Sequence, residues 1–265
     1  MNAPLDAAAD PYVLADVERG VATLTLNRGA RYNALSRAML DALAAAFALV
    51  GADPTVRAVV LAGAGNGFCA GHDLKELRAH ADETWQRETF AKCSEVMLAI
   101  ARLPQPVIAR VHGIATAAGC QLVAGCDLAV ASEHATFALP GVNVGVFCTS
   151  PAVAVGRNIS RKRSMEMLLT GEPIDARTAL AWGLVNRVVP ASALDGAIRA
   201  FTDLIASKSA RLIAEGKAMF YRQVERGVEE AYGLACEAMT RNLLDPVAHE
   251  GIDAFVAKRA PSWGD

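Results

Sequence analysis

The sequence predicts an α/β fold followed by a helical carboxy-terminal segment. Apolar and polar residues alternate with a period of two at residues 21–26, which indicates a half-buried strand. Residues 84–102 have a helical pattern, and strand-like and helix-like stretches alternate along the first part of the chain. From Ser192 onward the pattern is almost continuously helical. We therefore expect an α/β core at residues 1–191 and a helical segment at residues 192–265.

The chain opens with a predicted β-hairpin. Residues 12–17 and 21–26 are the two strands, because residues 19–20, an arginine and a glycine, favour a turn between them. Ser36 is a predicted helix N-cap, since a serine oxygen can accept a hydrogen bond from a free N–H of the first turn. The helix that follows Ser36 is expected to end near Gly51.

The alternation continues after this first helix. Residues 57–61 form a predicted buried strand, and a loop rich in glycine follows it. The long helix at 84–102 ends before Pro104, and a short strand at 107–111 then runs into Gly113. This order of strand, helix and strand predicts an α/β core.

The helical segment contains three signals that divide it into separate helices. Residues 207–209 form a polar hinge, Gly227 interrupts the pattern, and Pro246 is placed to open the last helix. We therefore expect several helices after Ser192 instead of one long helix.

Composition excludes several classes of protein. The chain has 265 residues, and its 26 basic and 28 acidic side chains give a formal net charge of -2, without the basic block that tracks nucleic acid. No secretory or transit pattern is visible at residues 1–12, so a cytoplasmic location is expected. The longest uncharged apolar run, residues 113–126, is shorter than the roughly 20 residues of a membrane helix, so no membrane partner is expected.

Six cysteines are scattered without the paired spacing of a metal site, so we expect reduced core thiols and no bound metal.

Two short segments combine small residues with a position at the end of a strand. Residues 67–74 form a glycine-punctuated turn before a helix start, and residues 111–122 lead from a strand into a helix whose first turn has side chains too small to block close approach. A helix start carries free N–H donors and a positive dipole end, worth roughly 0.3–1 kcal/mol for a nearby anion. Each segment alone is more often a packing feature, but together they predict a binding site for one oxyanion.

These segments and their surroundings resemble the crotonase family, that is, the enoyl-CoA hydratase/isomerase family, over nearly the whole chain. The pattern Gly-Cys-Gln at 119–121 with Gly-Val-Asn-Val-Gly at 141–145 is similar to an enoyl-CoA hydratase domain-containing branch. The motifs that carry the family resemblance are LNR at 26–28, NAL at 33–35, FCAGHDL at 68–74, residues 113–121, LTGE at 169–172, Ala179, GLV at 183–185 and VVP at 188–190.

The resemblance implies a ClpP/crotonase-like spiral of ββα units with a carboxy-terminal trimerisation segment, in a homotrimer or a dimer of trimers. It implies an acyl-CoA thioester as ligand, with coenzyme A as part of the substrate and no separate cofactor. By motif position, the oxyanion hole consists of the backbone N–H groups of His72 and Ala118. The residues implied to contact the acyl-CoA are Arg31, Asn33, Ala34, Leu35, Ala70, Asp73, Leu74, Lys75, Gly141, Cys148 and Lys258, with Arg259 beside the last.

The sequence departs from this family at both positions where its hydratases carry a glutamate. Gln121 stands at the first and Gly141 at the second. An amide does not exchange a proton near neutral pH and glycine has no side chain, so two-carboxylate hydration is not expected here. Gln121 is instead expected to project toward the acyl group and hydrogen-bond a water or a substrate carboxylate.

Few side chains are available as substitutes for the missing carboxylates. The imidazole of His72 has a pKa suited to proton transfer but can equally pack outward, and Cys148 is more simply a buried thiol than a reactive one. Asp73 is expected to cap a helix. His112, Glu133 and His134 are expected to flank strands or face solvent.

Three functions therefore remain open from the sequence. The first is an enzyme that stabilises an enolate without the glutamate pair, such as a decarboxylase, isomerase or hydrolase of acyl-CoA. The second is a hydratase that uses His72 or an ordered water as acid or base. The third is an acyl-CoA-binding protein without catalysis, since a fold does not by itself establish a reaction.

Overall fold

The computed structural model describes residues 10–264, and residues 1–9, on which part of the expectation about targeting rests, lie outside them. The strands are β1 Val13–Glu18, β2 Val21–Leu26, β3 Ala58–Gly63, β4 Gly67–Cys69, β5 Val107–Val111, β6 Ile114–Thr116, β7 Leu128–Ser132, β8 Thr136–Ala138, β9 Ile174–Asp175 and β10 Arg187–Val189. The helices are α1 Arg37–Ala52, α2 Leu74–Ala79, α3 Glu83–Arg102, α4 Ala118–Gly125, α5 Thr149–Asn158, α6 Arg161–Thr170, α7 Ala176–Trp182, α8 Leu194–Ala206, α9 Ala210–Gln223, α10 Val228–Leu243 and α11 Pro246–Val256.

The strands form two sheets. The larger has the order β1-β2-β3-β5-β7-β10, and only the β1–β2 hairpin in it is antiparallel. The smaller has the order β4-β6-β8-β9, with β4, β6 and β8 parallel. Strand β3 is apolar along its length because both faces are covered, as is usual for an inner parallel strand. The predicted α/β class and hairpin are confirmed.

Helix starts follow the capping chemistry of the sequence. The Ser36 hydroxyl accepts a hydrogen bond from the Met39 N–H and opens α1, as predicted. The Asp73 carboxylate accepts from two N–H groups of α2, which confirms the expected cap. The helix predicted at 84–102 begins at Glu83, with Asp82 as its cap.

Helix α8 is part of the core layer, although it follows the predicted boundary at 191. Its residues Leu194 and Ile198 are buried against Val60, Ile108 and Val130 of the larger sheet. A helical pattern reveals that one face is apolar but not which surface covers it. The division into a core and an oligomerisation segment remains a prediction.

A buried ion pair attaches α9 to the sheet. The Lys217 ammonium donates to Asp127 Oδ2 (2.6 Å) and to the carbonyls of Ile100 (2.8 Å) and Gln105 (3.0 Å). The Tyr221 hydroxyl donates to the other Asp127 oxygen (2.8 Å). Burial lowers the pKa of Lys217, and the neighbouring Asp127 carboxylate opposes that shift. The ammonium group has three hydrogen-bond acceptors, which offset the cost of burying its charge.

Helices α10 and α11 leave large apolar side chains exposed in the single chain. The most exposed are Val228, Tyr232, Phe255 and Val256, together with Leu244 directly after α10, each at 73% or more. Within residues 10–264, no helix combines the length and the apolar character needed to cross a membrane.

Candidate active site

The two segments singled out in the sequence pack directly against each other. A Cβ added to Gly119 would lie 2.0 Å from the Cys69 carbonyl oxygen, so the first turn of α4 touches the backbone of the other segment. Gly71 has φ +85°, and a Cβ there would lie 2.9 Å from the Ala117 Cβ and 3.0 Å from the Ala118 nitrogen. We name this contact, residues 69–72 against 117–119, the two-loop contact. It brings the Ala118 nitrogen beside Gly71. Since His72 is the next residue after Gly71, the backbone nitrogens of Ala118 and His72 lie in the same region.

Both nitrogens at this contact keep a free N–H. Leu35 donates to the Gly71 carbonyl (2.8 Å) and accepts from the Asp73 N–H (3.4 Å), and this parallel bridge leaves the His72 N–H on the opposite edge. Ala118 is the first residue of α4, where an N–H has no intrahelical partner. Within residues 10–264, neither N–H has a hydrogen-bond acceptor. Two adjacent free donors are what an oxyanion requires.

The backbone that aims the Ala118 N–H is strained. Ala117 has φ 50° and ψ -119°, a region that favours glycine and costs of order 1–3 kcal/mol for another residue. Its N–H donates to the Ala138 carbonyl (2.9 Å), and the Thr116 hydroxyl donates to the Ala70 carbonyl (3.1 Å). The first bond ties the strained turn to β8, and the second holds it against residues 69–72.

Asn33 holds the first of the two segments, residues 67–74, in position and does not project into a cleft. We call this segment the first loop. Asn33 is 0% exposed, and its Nδ2 lies within hydrogen-bonding distance of the carbonyls of Gly67 (2.9 Å) and Phe68 (3.0 Å). Its Oδ1 accepts from the Arg28 N–H (2.9 Å). Leu35 is also buried, so the structure assigns both residues a role in shaping the site, and no side-chain surface is left for a ligand.

The His72 ring is held in an apolar environment. Both ring nitrogens are buried and have no hydrogen-bond partner in the described part of the chain, and the ring meets Phe90 edge to face at 5.1 Å. Burial is the main cause that lowers the pKa of His72. The neutral imidazole is therefore favoured over the imidazolium cation near pH 7.

Gln121 and Gly141 present no carboxylate. Gln121 is 5% exposed, and its Oε1 has no hydrogen-bond partner among the described residues. A Cβ on Gly141 would lie 2.4 Å from the Val146 carbonyl oxygen and 2.8 Å from the Cys148 Sγ. The space into which a side chain at 141 would extend is thus occupied by the protein itself.

The cysteines are held as thiols. Five of the six are buried, all are free, and Cys236 is exposed. Burial raises the pKa of Cys69 and of Cys120 to about 12, and it also raises the pKa of Cys148. A thiolate is disfavoured at each of these positions, which argues against a nucleophilic Cys148. Within residues 10–264, no three metal-ligating side chains cluster.

A cleft of about 630 Å³ lies beside the first loop. Four of the residues predicted to bind the ligand line it, namely Arg31, Ala34, Asp73 and Lys75. Lys258 is not among its lining residues, and the neighbouring Arg259 is paired with Glu250. The other lining residues, which the sequence did not indicate, are Tyr12, Arg28, Ser36, Ala38, Glu76, Ala79 and His80.

The remaining predicted site residues are spread around the two loops. Ala70 lies in the two-loop contact and Leu74 is 57% exposed at the start of α2. His112 donates from Nε2 to the Gly65 carbonyl (2.8 Å), and His134 and Glu133 are exposed. These three residues flank strands, as expected.

This combination of fold and paired donor loops defines a protein of the crotonase class. Residues 16–265 match the family model for enoyl-CoA hydratase/isomerase, and the chain belongs to that family. It is 46% identical over 244 residues to enoyl-CoA hydratase domain-containing protein 3, mitochondrial, of Rattus norvegicus, with 92% of this chain and 81% of the relative covered. The resemblance to that branch is therefore confirmed.

Solved structures agree with the fold. The structure of an enoyl-CoA hydratase from Mycobacterium smegmatis has a TM-score of 0.94 and 56% identity, covering 97% of this chain and 100% of the other. The structure of human enoyl coenzyme A hydratase domain-containing protein 3 has a TM-score of 0.92 and 43% identity, covering 95% of this chain and 100% of the other.

The expected cytoplasmic location is wrong by these comparisons. The rat, mouse, Xenopus laevis and human relatives are all named as mitochondrial proteins. The lack of a visible targeting pattern at residues 1–12 is not a basis for assigning a compartment, because a targeting address is read by a receptor and is not a property of the fold.

Gly119→Ala tests the two-loop contact. The new Cβ would meet the Cys69 backbone, so we expect the free energy of unfolding to fall by about 3 kcal/mol or more, measured by chemical denaturation. Gly196→Ala is the matched control, because a Cβ on that residue of α8 meets nothing within 4 Å and should stabilise the helix by roughly 0.5–1 kcal/mol. Equal stability of Gly119→Ala and the wild type would show that the loops are not in contact.

The burial of His72 predicts a specific dependence of stability on pH. Its folded pKa is lowered, so below about pH 6.5 the unfolded chain binds a proton that the folded ring resists, and stability falls as the pH falls. Denaturation at pH 7.5 and 5.5 should show a larger loss for the wild type than for His72→Ala. The exposed His134 supplies the control, since His134→Ala should retain the wild-type loss. An unchanged loss in His72→Ala would contradict the assignment.

Proposed function

We propose that the protein binds an acyl-CoA thioester and stabilises its enolate with the N–H groups of His72 and Ala118. The observation that carries this proposal is the pair of adjacent free donors at the two-loop contact. One such donor contributes about 2.7–4 kcal/mol to transition-state stabilisation in other enzymes, so two supply a large part of a rate enhancement. The name of the family to which the chain belongs, enoyl-CoA hydratase/isomerase, refers to an acyl-CoA of this class.

The cleft beside the first loop is the proposed binding site for coenzyme A. Arg31 is largely exposed there, and Lys75 is exposed as well, so both can approach phosphate groups. The lining of the cleft carries three basic side chains, Arg28, Arg31 and Lys75, against two acidic ones, Asp73 and Glu76, and Arg31 lies 3.9 Å from Asp73. The remaining positive charge favours an anionic ligand.

The reaction proposed first is one that forms an enolate without a carboxylate base. In decarboxylation, the carbon–carbon bond to the carboxylate breaks, its electron pair becomes the enolate, CO₂ leaves, and the enolate carbon then takes a proton from water. No C–H proton has to be removed, so two N–H donors support the difficult step. Gln121 and Gly141 supply no general base, which disfavours hydration by paired carboxylates.

Hydration that uses His72 is the second candidate. It is supported by the buried, neutral ring without a hydrogen-bond partner, whose one unprotonated nitrogen can take a proton from water, and by relatives whose names contain hydratase. The contact with Phe90 restricts the ring, so this reaction requires the imidazole to lie within reach of a bound water.

The proposed assembly is a homotrimer or a dimer of trimers. The exposed apolar side chains of α10 and α11 support it, because large apolar surfaces of that kind are usually buried by another chain. Lys258, which follows α11, would then approach a ligand only if the assembly brings it to the cleft of a neighbouring subunit.

The test of the proposed function is turnover of a panel of CoA thioesters by the wild type, Ala118→Pro and Ala210→Pro. The panel includes crotonyl-CoA for hydration and malonyl-type esters for decarboxylation. Proline is tolerated as the first residue of a helix, a position that both alanines occupy. Each substitution deletes one backbone N–H, but only that of Ala118 belongs to the proposed oxyanion hole. We expect a roughly 10²–10³-fold loss of kcat in Ala118→Pro and little change in Ala210→Pro.

Three outcomes decide between the alternatives. Full turnover of every active substrate by Ala118→Pro contradicts the proposal. Hydration that is lost in His72→Ala supports the second candidate. Tight binding of CoA esters with no turnover across the panel identifies a binding protein without catalysis.

A further inference from the structure

Helix geometry places Gln121 on the side of α4 that carries the free Ala118 N–H. Gln121 lies three residues after Ala118, on the same face of α4, and side chains of a helix lean toward its amino terminus. That terminus is where the Ala118 N–H is free. The Gln121 amide is therefore the polar side chain of α4 that can approach a thioester bound at the donors.

The amide lies in an apolar environment and lacks a partner. Every other residue of α4 is alanine, glycine, cysteine, leucine or valine, and most of the helix is buried. Gln121 is 5% exposed, and its Oε1 has no hydrogen-bond partner among the described residues. A buried amide oxygen left without a partner costs roughly 1–3 kcal/mol, so a ligand group that hydrogen-bonds it gains affinity.

The segment around Gly141 cannot supply that partner from a side chain at 141. The Val146 carbonyl and the Cys148 thiol fill the space next to the Gly141 Cα, as the short contacts of an added Cβ show. Cys148 is the residue before α5, and α5 packs against α4, the helix that carries Gln121. A raised pKa keeps Cys148 as a thiol, which is only a weak hydrogen-bonding group.

We infer that Gln121 is a specificity-determining residue that selects acyl groups with a hydroxyl or carboxylate near the thioester over plain alkyl acyl groups. This inference rests on the proposed function. A neutral amide both donates and accepts, so it can bind either group. Sites built to hydrogen-bond a substrate reject analogues that lack the polar group, by up to about 10⁴–10⁵-fold in the strongest cases. A water that replaces the missing group reduces this factor, so we expect at least about tenfold here.

The experiment measures binding by calorimetry with unreactive analogues in which an amide replaces the thioester. The ligands are the butyryl, 3-hydroxybutyryl and malonyl analogues, with CoA itself as a reference. The wild type should bind the hydroxyl or the carboxyl analogue at least tenfold more tightly than the butyryl analogue. The better of the two identifies which polar group the site takes.

Gln121→Met removes the hydrogen bond at similar volume and should bring the three affinities within about threefold of one another. Gln105→Met is the matched control, because Gln105 is also buried with an unpartnered Oε1. Gln105 lies before β5, and the second donor loop lies beyond the other end of that strand. This control variant should keep the wild-type ratio. Gln121→Glu provides a second variant, in which the added charge should weaken the carboxyl analogue selectively.

Equal binding of all three analogues by the wild type, or an unchanged preference in a folded Gln121→Met, would overturn the inference and leave the proposed function standing. Failure of CoA and of every analogue to bind would overturn the proposed function as well. Thermal unfolding of each variant establishes that the binding data come from folded protein.

Discussion

The direct backbone contact between residues 69–72 and 117–119 is the constraint on which the site depends. Gly119 leaves room for the Cys69 carbonyl, and Gly71 leaves room for Ala117 and the Ala118 nitrogen. The parallel pairing of β4 with β6 delivers the two loops to one edge of the smaller sheet. Hydrogen bonds of Asn33 then fix the first loop. A side chain at either glycine would push the two loops apart, so their close approach depends on the absence of two Cβ atoms.

Local signals in the sequence predicted much of the fold. The hairpin, the Ser36 and Asp73 caps and the start of the last helix at Pro246 depend on residues close in the chain, and the structure confirms them. The smaller sheet was not predicted, because strands of two or three residues carry too little periodicity to be recognised. The packing of α8 on the larger sheet was also missed, since it depends on tertiary contacts.

The candidate site divides in the same way. The donor loops were visible as glycine and alanine at strand ends, and the resemblance to a family assigned them to one site. The effect of Phe90 and burial on His72 could not be predicted, because it depends on a helix distant in the sequence. Neither could the role of Tyr12 and His80 in the cleft, nor the filling of the space at Gly141 by Val146 and Cys148.

The central claim is that two N–H groups hold one thioester oxygen. Infrared spectroscopy of bound butyryl-CoA, labelled with ¹³C at the thioester carbon, measures this directly, because hydrogen bonds to a carbonyl lower its stretching frequency. The account predicts a bound frequency below that in water, with most of the shift lost in Ala118→Pro and retained in Ala210→Pro. A bound frequency equal to that in water, with the ligand saturated, would contradict it.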